Sequence, residues 1–348
     1  RRGRERMISV LVVTYNGETY IREQIDSILS QDCEEKADVK LKLLIRDDGS
    51  KDGTQEILRK YAAKYPDQVS WYQGENIGVI KSFFDLIEKS DEKADYYAFS
   101  DQDDYWHKEK LRAGIEKIKE MSKKYQQEKD KYIGFSEKNS VYLKVPLLYC
   151  CSPLLVDENL KEIDNEMTRK NKIPSFENAV VENIVTGCTI VMNKTLRNMA
   201  KKHPPKFTVM HDWWFYLLAS CYGELYFDGR QLISYRQHGT NTVGYNTSKL
   251  KEFKDRVKRF KGNRRNITNQ LKDFVRIYEL YLKDEPDNSV FKAKKTKQKI
   301  HIAKMLVKYS GKPGFIIKRA GLLKKTGIYR QRKVDNIIFK IILLSGSY

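Results

Sequence analysis

Four short apolar runs, each followed by a polar turn and then by a stretch with helical spacing, constrain this chain more than any other feature. Ile8–Val13 (ISVLVV), Leu41–Ile45 (LKLLI), Val69–Gln73 (VSWYQ) and DYYAFS ending at Ser100 are short and rich in β-branched or aromatic residues. After them, Tyr20–Leu29, Thr54–Tyr65, Val79–Glu88 and Lys108–Tyr125 repeat apolar residues every three or four positions. Continuous apolar runs suit strands buried on both faces. The alternation predicts an α/β fold with a mostly parallel central sheet flanked by helices. In such sheets ligands gather outside the carboxyl ends of the strands. TYNGE, RDDGS, GENIG and SDQDD all follow predicted strand ends, so this topology brings four polar clusters to one edge.

The last cluster lies in FSDQDDYW, where Asp101, Asp103 and Asp104 fall within four positions. Two carboxylates one residue apart on a tight turn can both face a divalent cation. Mg²⁺ and Mn²⁺ take oxygen ligands and complete their shells with water and substrate phosphates. By itself D-x-D is more often an acidic turn. In RDDGSKDGT, Ser50 or Asp52 can cap the following helix. Capping leaves Asp47 and Asp48 unexplained, and a carboxylate there could accept the imide N–H of a pyrimidine base. In TYNGE, Thr14 and Asn16 could contact a base, or Asn16–Gly17 could simply form an Asx-type turn.

Beyond Gln126 the pattern changes. The polar 126–140 stretch reads as a flexible connection, and VYLKVPLLYC resists assignment. Ile184–Asn193 (IVTGCTIVMN) predicts strand, glycine turn, strand. His211–Ser220 predicts a helix with Asp212 in its first turn, where a carboxylate is favourable. Glu224–His238 predicts a strand pair around the Asp228–Gly229 turn.

The motifs VVTYNGETYIREQIDSILSQ, LLIRDDGSKDGT, ENIGVIKSF, FSDQDDYW, TGCTIVMN, MHDWWF and YRQHGTN resemble, in order and spacing, glycosyltransferase family 2, the inverting enzymes of the GT-A (Rossmann-like) fold. The resemblance covers roughly residues 7–245. It is greatest to the bacterial rhamnosyltransferase branch, which builds cell-wall and capsular polysaccharides from dTDP-rhamnose. It implies that Thr14, Tyr15, Asn16, Asp47 and Asp48 hold the nucleotide base, with Asn76, Lys81 and Arg236 facing the donor. Many relatives carry arginine where Lys81 stands. It implies Asp101 at the ribose and Asp103 at an Mn²⁺ or Mg²⁺ ion, with Asp104 as the alternative ligand and His238 at the metal or the pyrophosphate. Asp212 matches the catalytic base, and Thr186, Gly187, His211 and Trp213 would line the acceptor side. The Q-x-x-R-W of processive synthases is absent and YRQH stands in that region, so single-sugar transfer is expected. The nucleotide sugar would be dTDP-rhamnose or a UDP-hexose.

The net charge of +20 is confined to one region. From Thr247 to Tyr348 there are 28 Lys and Arg against 8 Asp and Glu, which leaves 38 of each in the rest of the chain. The expected organisation is a catalytic domain over 7–246, with its nucleotide half near 7–125 and its acceptor half near 126–246. A basic helical region over 247–348 follows, and residues 1–6 are read as a remnant or extension. Leu250, Phe253, Val257 and Phe260, then Ile267–Leu282, Ile300–Lys308 and Asn336–Leu344, carry helical spacing. No run reaches the roughly 20 apolar residues of a spanning helix. A basic amphipathic region suits an anionic membrane surface. A lipid-linked or oligosaccharide acceptor would lie there, making the enzyme peripheral on the cytoplasmic face. Nucleic acid is disfavoured, because no recognised motif accompanies the charge; a homodimer remains open. Five cysteines without C-x-x-C spacing read as free thiols.

Overall fold

The computed structural model describes residues 5–132, 145–163, 172–238, 265–285, 289–309 and 315–346. The chain divides into two compact units, one of residues 1–171, 185–202 and 224–238, the other of 172–184, 203–223 and 239–348. The segments 172–184 and 203–223 therefore group with the C-terminal helices.

In the first unit, β1 (Arg6–Thr14) lies between β2 (Val39–Asp47) and β4 (Tyr96–Ser100), and β3 (Val69–Gln73) flanks β2, all parallel. β1 is buried on both faces through Ile8, Val10, Leu11 and Val12, the packing its unbroken apolar run requires. It begins at Arg6, so the sheet takes in part of the segment expected to lie outside the fold. The crossovers are α1 (Ile21–Leu29) with the short α2 (Cys33–Ala37), α3 (Thr54–Lys64) and α4 (Val79–Lys89). α1 buries Ile21, Ile25 and Ile28, and α4 buries Phe83, Leu86 and Ile87. Each such side chain removed from water contributes about 1.5–3 kcal/mol.

The sheet then becomes mixed. Its eight strands run β3-β2-β1-β4-β7-β6-β8-β5, with β5 (Tyr105–Trp106), β6 (Leu147–Val156), β7 (Ile190–Asn193) and β8 (Glu224–Arg236). β7 is antiparallel to β4 and β6, β8 is parallel to β6, and β5 is antiparallel to β8. α5 (Lys110–Tyr132) and α7 (Lys194–Lys202) complete this unit's long helices among the described residues.

Four expectations are corrected here. The unassigned VYLKVPLLYC contains the start of β6, buried almost throughout. IVTGCTIVMN is a 3₁₀ turn, Gly187–Thr189, followed by one strand and not two. The expected hairpin at Asp228–Gly229 is one continuous strand, β8, whose register against β6 slips after Asp228. Asp228 holds that irregularity. Its carboxylate accepts from Arg230 N at 2.9 Å, Arg230 Nη2 at 2.7 Å and Tyr149 Oη at 2.8 Å, so the chain bulges and continues. Residues 126–132 of the expected flexible connection are instead the end of α5; its remainder and the Leu250–Phe260 helix lie outside the described residues.

The second unit is helical among its described residues. α6 (Phe176–Ala179) and α8 (His211–Tyr222) join α9 (Asn266–Asp284), α10 (Ser289–Lys292), α11 (Lys294–Tyr309), α12 (Ile316–Thr326) and α13 (Lys333–Ser345). Every residue of α8 is buried, which explains its apolar sequence on all sides. Phe274 of α9 packs on Phe176, Trp214 and Tyr222 at ring distances of 6.0, 5.8 and 5.9 Å. Buried Arg319 of α12 donates to Tyr309 O at 3.1 Å and to Leu344 O at 2.7 Å, satisfying carbonyls at the ends of α11 and α13. Among the described residues no helix is long and apolar enough to cross a membrane.

Candidate active site

The four polar turns at the carboxyl edge of β1–β4 are bonded to one another. Gln102 ties the acidic turn to the end of β1. Its Oε1 accepts from Thr14 Oγ1 at 2.7 Å and from Tyr15 N at 2.8 Å. Gly17 permits this approach, since a Cβ there would lie 2.5 Å from that oxygen. Asn16, at φ 48°, ties β1's turn to β2's, donating its N–H to Ser50 Oγ and accepting from Lys51 N, both at 2.9 Å. Asp48 ties β2's turn to GENIG, accepting from Ile77 N and Gly78 N at 3.1 Å. It also accepts from Ser82 Oγ at 3.0 Å and pairs with buried Arg46. Asp47 is fully buried and accepts from Ser50 and from Gln55 Nε2 at 2.9 Å. Both carboxylates thus hold this chain's own donors. Tyr15 and, further along, Asn76 and Lys81 are exposed.

In the acidic turn the structure brings Asp101 to Asp104 and Asp103 to His238. Asp103 Oδ2 lies 2.8 Å from His238 Nε2. Asp103 O accepts from Arg236 Nε at 2.8 Å, and Arg236 Nη2 pairs with Glu23. Tyr20 lies beneath this pair, 4.6 Å from the Arg236 guanidinium and 5.0 Å from the His238 ring. Asp104 is wholly buried. Its Oδ1 accepts from Arg236 N at 3.2 Å, and the Cys188 thiol also hydrogen-bonds to this carboxyl. Burial, then the charges of Asp103 and Asp101, hold the Asp104 carboxyl well above the usual carboxylate range.

Asp101, Asp104 and Cys188 offer ligand atoms within 4.8 Å of one another. Carboxyl groups held this close on a buried turn repel one another, and a divalent cation would offset that cost. Burial and Asp104 raise the Cys188 thiol well above its ordinary value, so the carboxylate oxygens are the stronger ligands here. Two carboxylates on a turn fit a hard cation such as Mg²⁺ or Mn²⁺. On the same unit, half-buried Thr186 accepts through its carbonyl from Thr189 N and Oγ1 at 2.9 and 2.6 Å, and Gly187 is buried in the 3₁₀ turn.

The other expected residues belong to the helical unit. Asp212 lies in the first turn of α8, and its Oδ1 accepts from Asn183 Nδ2 at 2.9 Å and Trp213 N at 2.6 Å. Both bonds fix the orientation of the carboxylate. Trp213 is buried and donates Nε1–H to Ala179 O at 2.6 Å. His211 is buried, and desolvation lowers its pKa to about 3.

Gln102, Glu23, Arg46, Cys188 and Asn183 were not singled out by sequence. Gln102 is the middle of D-Q-D and Cys188 follows the Gly187 of TGCT, so adjacency to marked residues was the available signal for these two. Glu23 and Asn183 carry no local signal, because Arg236 and Asp212 reach them from far along the chain.

The model of the family "Glycosyl transferase family 2" matches residues 9–197. "dTDP-rhamnosyl transferase RfbG" of Shigella flexneri is 30% identical over 258 residues, covering 71% of this chain and 77% of that protein. "Putative teichuronic acid biosynthesis glycosyltransferase TuaG" of Bacillus subtilis is 32% identical over 117 residues, 33% of this chain and 43% of that protein. The crystal structure of S. aureus TarS 1-349 in complex with UDP aligns with a TM-score of 0.49 at 16% identity, covering 86% of this chain and 90% of that one. A match across more than half the chain, on the same strand-end turns that meet at the sheet edge, makes this protein a glycosyltransferase of family 2.

Proposed function

We propose that the enzyme moves one L-rhamnose from dTDP-rhamnose, with inversion, onto a lipid-linked or growing polysaccharide acceptor at the cytoplasmic face of the membrane. The observation that carries the sugar is the 30% identity, over 71% of this chain, to a dTDP-rhamnosyl transferase. The chemistry is supported by the convergence of Asp101 and Asp104 at an edge where the β1 and β2 turns are already bonded together. A divalent cation bound there would neutralise charge on the leaving diphosphate. The exposed loop side chains Tyr15 and Asn76 are available to the donor nucleotide, and Lys81 in the first turn of α4 adds a cation for its phosphates. The His238–Asp103 pair and Arg236 fix the turn from the β8 side. Asp212, which the resemblance matches to the base, would take the acceptor hydroxyl's proton as that oxygen attacks the anomeric carbon.

Thermal shifts with dTDP, UDP and GDP, each with and without Mn²⁺, test the donor nucleotide, and transfer from dTDP-rhamnose against UDP-hexoses tests the sugar. A metal-dependent preference for dTDP and its rhamnoside is expected. A preference for UDP-glucose or UDP-galactose overturns the rhamnosyl assignment. Asp104→Asn and Asp212→Asn should each lower turnover about a hundredfold or more with melting temperatures retained. An active Asp212→Asn enzyme would remove Asp212 from the base role.

A further inference from the structure

Of the seven large aliphatic side chains exposed among the described residues, five lie on α12 and α13. Ile317 is 84% exposed, Val334 63%, Ile337 60% and Ile341 62%. On α13, Val334, Ile337 and Ile341 recur at spacings of three and four, so they share one face. Phe339 and Leu343 are buried on the opposite side of that helix. α13 thus has two apolar stripes, of which the fold covers one.

The surroundings of the second stripe are cationic. Lys318, Lys324, Lys325, Arg332, Lys333 and Lys340 are all exposed on or beside these helices, against the single acidic residue Asp335. Lys318 and Lys325 also line a cavity of about 1160 Å³, together with Lys294, Lys295 and Lys297 of α11. Glu177 is the only carboxylate in its wall among the described residues. A second copy of this chain would bring like charge against like charge at such a surface. An interface that is apolar in its outermost atoms and anionic around them complements it.

We propose that α12 and α13 form a membrane-docking surface. The stripe of Ile317, Val334, Ile337 and Ile341 enters the acyl boundary of an anionic bilayer, and the α11–α12 lysines hold the lipid phosphates. Arg319, bonded to the ends of both α11 and α13, keeps the apolar stripe and the lysine cluster on one rigid support. This inference deepens the reading of a membrane-face transferase and rests on it for the biological setting.

The test is flotation of the full chain with vesicles of phosphatidylcholine alone and of phosphatidylcholine with phosphatidylglycerol. The wild type should bind only the anionic vesicles. Ile337→Glu/Ile341→Glu and Lys318→Glu/Lys325→Glu should each weaken binding about tenfold or more while keeping the far-UV spectrum and melting temperature. Binding unchanged in the isoleucine variant overturns the proposal. So does a wild-type dimer in sedimentation velocity that this variant converts to monomer, since a second copy would then cover the stripe. Donor hydrolysis in detergent-free buffer separates the two readings. Variants that lose vesicles yet keep hydrolysis support the surface as distinct from the chemistry. A wild type that binds vesicles but uses no nucleotide sugar leaves the surface standing and removes the transferase assignment.

Discussion

Gln102 shows how one neutral side chain can organise an acidic turn. Its amide oxygen receives two donors from β1's end, and both lose their acceptor if it is removed. On the proposed donor site, Gln102→Ala should weaken nucleotide binding about tenfold in calorimetry, because the Tyr15 backbone loses its anchor, while the fold loses only about 1–2 kcal/mol. His211 makes a second prediction, on acid stability. Its native pKa of about 3 lies below the ordinary 6.5, because burial penalises the charged ring. Between those values the unfolded chain binds a proton that the folded chain does not. Stability therefore falls as pH drops through this window, by about 1.4 kcal/mol per pH unit at most. Melts of His211→Gln from pH 7 to pH 4 should show a shallower slope than wild type; an identical slope would place the titrating group elsewhere.

The elements show why local pattern was enough for the first half and not the second. β1 to β4 and their crossovers follow from β-branched runs and helical spacing because each repeats one simple unit. β6 and β8 do not, since their partners are remote. The Asp-Gly pair at 228–229 reads as a hairpin until Tyr149, on the neighbouring strand, supplies a donor that stabilises a bulge. Gly114 on α5 makes the same point about packing. A Cβ there would meet Val191 Cγ2 at 2.6 Å and Val191 Cβ at 2.8 Å, so the helix rests on the sheet only because this residue has no side chain. Gly114→Ala should lower stability by about 1–3 kcal/mol in urea melts, against the usual gain from replacing glycine in a helix. A stabilised variant would show that α5 can lift off without cost.

At the scale of the molecule, the excess charge lies in the last third of the sequence, but the second compact unit begins earlier and includes α8. A chain ending at Asn246 would therefore strip Phe274 from Trp214 and Tyr222 and expose a helix that is apolar on every side. Such a truncation should aggregate or bind ANS strongly, whereas the charge-reversal variants should not; a soluble, ANS-silent truncation would contradict this packing. By itself the sequence determined the alternating α/β half, the cluster of turns at its edge, the family, and the place of the basic charge. These are set by local periodicity and by motif order, which a linear chain displays directly. The tertiary structure alone decided that Asp104 shares its site with Asp101 and Cys188, and that Asp47 and Asp48 are already engaged by the chain's own donors. It also decided that one face of α13 is left uncovered by the described residues. Each of these depends on which distant residue arrives within bonding distance, and spacing along the chain does not encode that.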